Sequence, residues 1–309
     1  MEAKTKLFRR DFTLVVIGQI ISLFGNAILR FALPYYLLKE TGSSTLFGLV
    51  TACSFLPMVV LSMVGGILAD RINKRNIMVG LDFCTTALIS TAIIITLFYL
   101  SLGKLPMVPL FIVFLMLLYG ISGAYQPSVQ ASVPLLVSSD KLTVGNAVIN
   151  QVNTLANFVG PAIGGIVLQF YGIMPILFAS IVCFTFSAIM EIFIHIPYQK
   201  RVRETGVFTV AKNDLKDSFR FLRHEKPIFI SVIILVCIFN LVLSAVLIVG
   251  LPILISEVLG MSDTLYGFSQ ASLSLGGLCG DFLTAIVAEK LKLKNLYVLL
   301  LICSASVFL

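Results

Sequence analysis

At 309 residues, 58% hydrophobic and only 12% charged, with a mean hydropathy of +1.03, the chain is far too apolar for a soluble domain and belongs in a bilayer. Its net charge of +7 does not mark a nucleic-acid-binding protein, because the basic residues are segregated by topology. Two histidines, His195 and His224, with no HExxH and no phosphate-cradling GxxxxGK, argue against an enzyme, and neither a metal nor a cofactor is expected.

A bilayer core takes roughly 20 apolar helical residues. Continuous apolar runs place spans at 12–38, 46–69, 77–100, 106–131, 146–170, 173–196, 228–255, 265–288 and 296 onward. Helices are expected rather than barrel strands because a helix satisfies its own backbone in lipid. Lys4, Lys6, Arg9 and Arg10 precede the first span; Arg71, Lys74 and Arg75 follow the second; Lys141 follows the fourth; eight more basic residues lie in 200–226; Lys290, Lys292 and Lys294 follow the eighth. These 19 of the 22 basic residues share one side, leaving Lys39 and Lys104 opposite and Arg30 inside a span. The N-terminus is therefore expected in the cytoplasm of a multi-pass protein of the cytoplasmic membrane. All six cysteines fall inside spans without a CxxC pair, which reads as packing.

Residues 197–227 form one long polar stretch, in which Leu215, Phe219 and Leu222 recur at helical spacing among charges. The expected organisation is a six-helix bundle over 1–196, a linker with an interfacial amphipathic helix over 197–227, and a partial second bundle over 228–309. A repeat supports two related bundles. Leu46-Phe47-Gly48-Leu49 matches Leu265-Tyr266-Gly267-Phe268, and the run from Ala69 to Ile77 matches that from Ala288 to Leu296, both at an offset of 219 residues. Duplicated bundles that rock about a central site are a common transporter design. The ninth span stops at Leu309 after about 14 residues where some 20 are needed, so the sequence reads as a piece of a longer protein.

The stretch Gly66-Ile67-Leu68-Ala69-Asp70-Arg71-Ile72-Asn73-Lys74-Arg75 resembles the signature loop of the major facilitator superfamily, Gly-x-Leu-Ala-Asp-Arg-x-Gly-Arg-Arg/Lys. In physical terms Gly66 allows close helix contact, Asp70 caps or pairs at a helix end, and Arg71, Lys74 and Arg75 act at the cytoplasmic surface. Asn73 replaces the usual Gly and is expected to keep a left-handed turn. In the fifth span, Ala156, Gly160, Pro161, Gly164 and Gly165 resemble the antiporter signature of proton-driven exporters, with Ala156 where Gly is usual. The small residues make a seam, expected to cross the eighth span with Gly160 and Gly164 near Gly276 and Gly280, and Pro161 bends the helix. Pro127-Ser128, Ala131, Pro134 to Val137, Leu142 and Asn146-Ala147 resemble the macrolide-efflux and enterobactin-exporter branch, from which Val129 (commonly Arg nearby) and Asn26 (commonly Asp) depart.

The resemblance implies an all-α polytopic major facilitator fold, here six spans of the first bundle and three of the second. It also implies a proton-coupled secondary active exporter of small hydrophobic or amphipathic molecules, of drug, macrolide or siderophore type, working by alternating access. An importer of a polar metabolite, or a non-transporting membrane protein if the chain is naturally truncated, stays open. Its partners are a small-molecule substrate, protons and lipid, with no nucleic acid.

Polar side chains inside spans are costly and therefore candidate sites. Ser22, Asn26 and Arg30 share one face of the first span, and Asn240 and Ser244 stand at pseudo-equivalent positions of the seventh. By the resemblance these spans line the substrate cavity; packing hydrogen bonds are the alternative. Arg30 needs an anion, and Glu40, Asp82, Glu191 and Asp281 are its possible partners. Asp281, about 10 Å above the cytoplasmic end of its span, suits a proton-coupling carboxylate or a structural partner. Asp82 and Glu191 read as interfacial. Asn146, Asn150, Asn153 and Asn157 make one stripe that coordinates substrate or, preferably, zips two helices.

Overall fold

A computed structural model describes residues 8–102, 107–196, 216, 220–221 and 227–287, with side chains at all of these except 70, 96, 98–102, 107–108, 227–229 and 281–287. Its helices are α1 (Arg10–Thr41), α2 (Ser44–Arg71), α3 (Lys74–Leu102), α4 (Met107–Leu136), α5 (Leu142–Tyr171), α6 (Ile173–Ile192), α7 (Pro227–Ser244, continuing through wide turns to Val258) and α8 (Asp263–Val287). Among the described residues seven helices, α1 to α7, are long and apolar enough to cross a membrane. The helix expected at the eighth span is present as α8, but Ser269, Gln270, Ser272, Ser274 and several glycines dilute its apolar character. The ninth span and most of the linker lie outside the described residues; of the linker, Lys216, Arg220 and Phe221 are helical.

Helix ends follow local chemistry, and the repeat reappears in them. Gly42, at φ 59°, closes α1 by donating its amide to Leu38 O, which is the left-handed cap that glycine adopts without strain. Ser43 then caps α2, its hydroxyl accepting from Leu46 N; at the same 219-residue offset Ser262 accepts from Leu265 N at the start of α8. Gly260, at φ 60°, turns the chain before α8 much as Gly42 does before α2. Asn73 does not adopt the expected left-handed backbone, since every described positive φ belongs to glycine. It caps α3 instead, its side-chain oxygen accepting from Arg75 N, so the loop needs no glycine there.

The first six helices pack around α1, which lies between α5 and α6, while α2 packs on α4 and α3 bridges α4 and α6. Close approach is set by small residues. A Cβ on Gly65 would lie 2.7 Å from the Ala124 backbone, and Gly123 faces the Met58 backbone in the same α2–α4 contact. The expectation that Gly66 makes this contact is therefore off by one: no described atom comes within 4 Å of a Cβ there.

The seam of α5 is divided between two partners, contrary to the expected pairing with Gly276 and Gly280. Gly160 meets Ala27 and Gly164 meets Phe31, both on α1. Only the Pro161 and Gly165 side of α5 touches α8, where a Cβ on Gly165 would stand 2.6 Å from Asp263 O and 3.0 Å from Gly267 Cα. Residues one apart on a helix point about 100° apart, so one glycine-rich run serves two neighbours. Pro161 has no N–H for the carbonyl of Asn157, and Ser274 Oγ on α8 donates to that carbonyl at 2.9 Å.

Gly65→Leu should lower the unfolding temperature of detergent-purified protein by several degrees, because overpacking costs about 1–3 kcal/mol. Gly66→Leu should change it far less. Equal effects of the two substitutions in a thermal melt would contradict this assignment of the α2–α4 contact.

Candidate functional site

A cavity of about 460 Å3 lies between the first six helices and the α7–α8 pair. From the first group come Ala27, Arg30, Phe31 and Pro34 of α1, Phe47, Thr51 and Phe55 of α2, Tyr119 of α4, and Asn157 and Pro161 of α5. Across from them stand Ile248 of α7 and Tyr266, Gln270 and Ser274 of α8. The wall combines aromatic faces with a few polar groups, the composition of small-molecule sites.

Arg30 is the one charged side chain among the lining residues. Its guanidinium lies 4.8 Å from the centroid of the Tyr119 ring, a cation–π contact, and Tyr119 is held edge-on by Phe55. Glu40, Asp82 and Glu191 form no ion pair with it, and the Asp281 side chain lies outside the described residues. The Arg30 guanidinium places a positive charge in the cavity wall.

The other expected cavity residues separate. Asn26 donates to Ser122 Oγ of α4 at 2.8 Å, and Ser22 is buried with its hydroxyl 3.3 Å from Asp82 Oδ1; neither lines the cavity. Asn240 donates to Val236 O on its own helix and is exposed, as is Ser244. The asparagine stripe of α5 does not zip two helices: Asn146 and Asn150 are exposed, Asn157 lines the cavity, and Asn157 Nδ2 donates to Asn153 Oδ1. Asp82 and Glu191, expected near the cytoplasmic interface, are 2% and 0% exposed inside the first bundle. Their helices α3 and α6 pack together there, which sequence depth does not reveal.

Beyond the cavity, at the end carrying Gly42 and Gly260, the two groups of helices are tied. Lys39 Nζ lies 2.8 Å from Asp263 Oδ2 and 3.0 Å from Oδ1, while Tyr35 Oη donates to the same carboxylate at 3.3 Å. Asp263 sits in the first turn of α8, where the helix dipole favours an anion. Ser44 donates to Glu257, and Thr264 N donates to Gln169 Oε1. Tyr266 stacks on Phe31 and packs at a tilt against Tyr35, so the ring that lines the cavity also touches this tie. Sequence reading missed the pair: Lys39 stood out only as one of two cations on its side, and the offset aligning α2 with α8 was the one signal that could have brought Asp263 forward.

At the opposite end the signature loop joins α2 to α3. Arg75 Nη1 donates to Ile192 O at the end of α6, and its Nε donates to Asn76 Oδ1. Lys74 opens α3 and Arg71 closes α2. The side chain of Asp70 is outside the described residues.

Known proteins resemble this arrangement. Macrolide efflux protein A of Streptococcus pyogenes is 25% identical over 225 residues, covering 72% of this chain and 53% of that protein. The staphyloferrin A transporter of Staphylococcus aureus is 24% identical over 278 residues, 89% of this chain and 67% of the relative. The chain thus spans between half and two thirds of the length of these two relatives. A solved structure described as a bacterial metal transporter superposes with a TM-score of 0.54 at 15% identity, covering 93% of this chain and 68% of that one, which is a likeness of fold alone. Residues 15–309 match the Major Facilitator Superfamily, and with its all-helical bundle and central cavity the chain is a multi-pass membrane protein of that transporter family.

Proposed function

We propose that the protein is a proton-coupled exporter of small amphipathic molecules bearing an anionic group, working by alternating access in the cytoplasmic membrane. The observation that carries this reading is Arg30: a permanent cation in an aromatic cavity between two helix groups, with no described carboxylate against it. A bound carboxylate or similar anion supplies the missing charge, and the Phe31, Phe47 and Phe55 faces take the apolar remainder. The relative named for macrolide efflux agrees with small-molecule export, and the staphyloferrin A transporter agrees with small-molecule transport.

In this reading 1–196 and 228–309 belong to the two rocking halves, joined by 197–227. The Lys39–Asp263 tie is the outer gate, with the N-terminus cytoplasmic as the basic residues require. Gly66, Asp70, Arg71, Lys74 and Arg75 form the inner gating loop. Ala156, Gly160, Pro161, Gly164 and Gly165 form the bend on which α5 moves against α1 and α8. The exposed Asn146 and Asn150 lead from the cytoplasmic end toward Asn157 in the cavity and form a wet entry path for substrate.

Cells lacking their own efflux pumps and expressing this gene should accumulate less of a carboxylate-bearing lipophilic dye, and an uncoupler should abolish the difference. Arg30→Ala should raise KM for that dye about tenfold or more, the loss expected for a charge-assisted hydrogen bond, with much less effect on an uncharged dye. Equal handling of both dyes by the variant would remove Arg30 from substrate recognition, and uncoupler-insensitive export would remove the proton.

Lys39→Ala should loosen the outer gate, since it leaves the Asp263 carboxylate, 6% exposed, without its cation. With native cysteines replaced by alanine and Tyr266→Cys introduced, a membrane-impermeant maleimide added outside intact cells should label the Lys39→Ala protein several-fold faster. Labelling that proceeds only from the cytoplasmic side would reverse the orientation.

A further inference from the structure

Within the first bundle, away from the cavity, four helices bring polar side chains to one dry point. Gln19 and Ser22 come from α1, Asp82 from α3, Tyr125 from α4, and Ser187 and Glu191 from α6; Gln19 and Glu191 are fully buried and Tyr125, at 6%, is the most exposed. Gln19 Nε2 donates to Tyr125 Oη at 2.6 Å, and Tyr125 Oη donates to Glu191 Oε1 at 2.6 Å. Ser22 donates to Asp82, while Ser187 Oγ donates to Gly18 O at 3.2 Å. Gln19 and Ser22 lie three residues apart on α1, so Glu191, reached through Tyr125, and Asp82, reached directly, belong to one cluster.

The donors and acceptors of this group do not balance. Each hydroxyl proton is already committed, yet Gln19 Oε1, Asp82 Oδ2 and Glu191 Oε2 are buried acceptors without a partner. No Lys, Arg or His pairs with either carboxylate among the described residues. The titratable groups facing the point are Asp82 from α3, Tyr125 from α4 and Glu191 from α6; α1 contributes the neutral Gln19 and Ser22. Two bare carboxylates in such a place carry a desolvation cost that no counter-charge offsets, and a single added proton removes one charge and supplies one of the missing donors.

We propose that Asp82, held by Ser22, and Glu191, held by the Gln19–Tyr125 pair, bind one exchangeable proton and are the site through which the protein couples to the proton gradient. On protonation an O–H bond forms at Glu191 Oε1, the proton coming from a hydronium ion that leaves as water. The new hydroxyl donates to Tyr125 Oη. The phenolic O–H turns toward Gln19, whose amide rotates by half a turn to present Oε1; Gln19 exchanges its donor bond to Tyr125 for an acceptor bond, and the net change is the loss of one buried negative charge. Glu191 is followed by Ile192, whose carbonyl accepts from the exposed Arg75 of the signature loop. The loop and the proton site therefore share the end of α6. The assignment moves proton coupling from Asp281 of α8 to the first bundle; its role in coupling rests on the transport reading, whereas the proton itself rests on the donor and acceptor balance.

The test is infrared titration of the purified full chain in lipid nanodiscs, following the C=O stretch of protonated carboxyl groups. A band that titrates is expected in the wild type and in Asp281→Asn, and is expected to vanish in Asp82→Asn/Glu191→Gln, whose isosteric amides keep the packing. In each single variant the titration midpoint should move by at least about one pH unit, as the loss of a neighbouring charge requires. Identical spectra for wild type and double variant overturn the proposal; if the double variant does not fold, unmoved midpoints in both single variants overturn it. In cells, uncoupler-sensitive export that both single variants retain unchanged overturns the coupling site and leaves the transport reading standing. A titrating band in a protein that exports nothing leaves the proton site standing and overturns the transport reading.

Discussion

Helices in a bilayer gain little by burying apolar surface against each other, because acyl chains are as apolar as leucine. What holds this bundle together is therefore close backbone approach where side chains are small, and each such contact has a distinct consequence. Gly65 and Gly123 bring α2 onto α4, fixing the Phe55–Tyr119 edge that positions the ring beneath Arg30. Gly160 seats α5 on Ala27 of α1, and Gly165 seats the other side of α5 on Gly267 of α8. Through α5, the first six helices and α8 enclose a cavity rather than meeting as flat walls.

The polar groups are spread along α1 so that one helix serves three stations. Gln19 and Ser22 enter the carboxylate cluster, Arg30 enters the cavity, and Tyr35 and Lys39 reach Asp263 at the start of α8. From residue 19 to residue 39 is about 30 Å of helix, close to the full hydrocarbon thickness. A small rotation of α1 thus acts on all three stations at once. Pro161 and the wide turns between Ala245 and Val258 lie on the helices opposite, where backbone bonds are already interrupted and bending costs least.

Much of the fold was legible in the sequence because one-dimensional signals control it. Apolar run length places α1 to α8 to within a few residues, and the 219-residue offset reappears as matching starts of α2 and α8 with serine caps at Ser43 and Ser262. The signature loop and the α5 seam identify the superfamily that the match over residues 15–309 establishes. Arg30 was legible as a cavity-lining residue for a simple reason: a guanidinium inside a span has to be accounted for wherever the span packs.

Which neighbour each residue meets was decided only in three dimensions. Ser22, Asn26 and Arg30 share a face in sequence, yet they end in a carboxylate cluster, a hydrogen bond to Ser122 and the cavity, because α3, α4 and the cavity meet α1 at different heights. Gly65 rather than Gly66 makes the close contact, and Asn73 caps a helix instead of turning left-handed. Asp82 and Glu191 lie 109 positions apart, and nothing in their spacing announces a shared buried point. Sequence determines how far each residue lies along its own helix, because rise per residue is fixed; azimuth and neighbour depend on how whole helices cross, which only the summed packing of all their side chains decides.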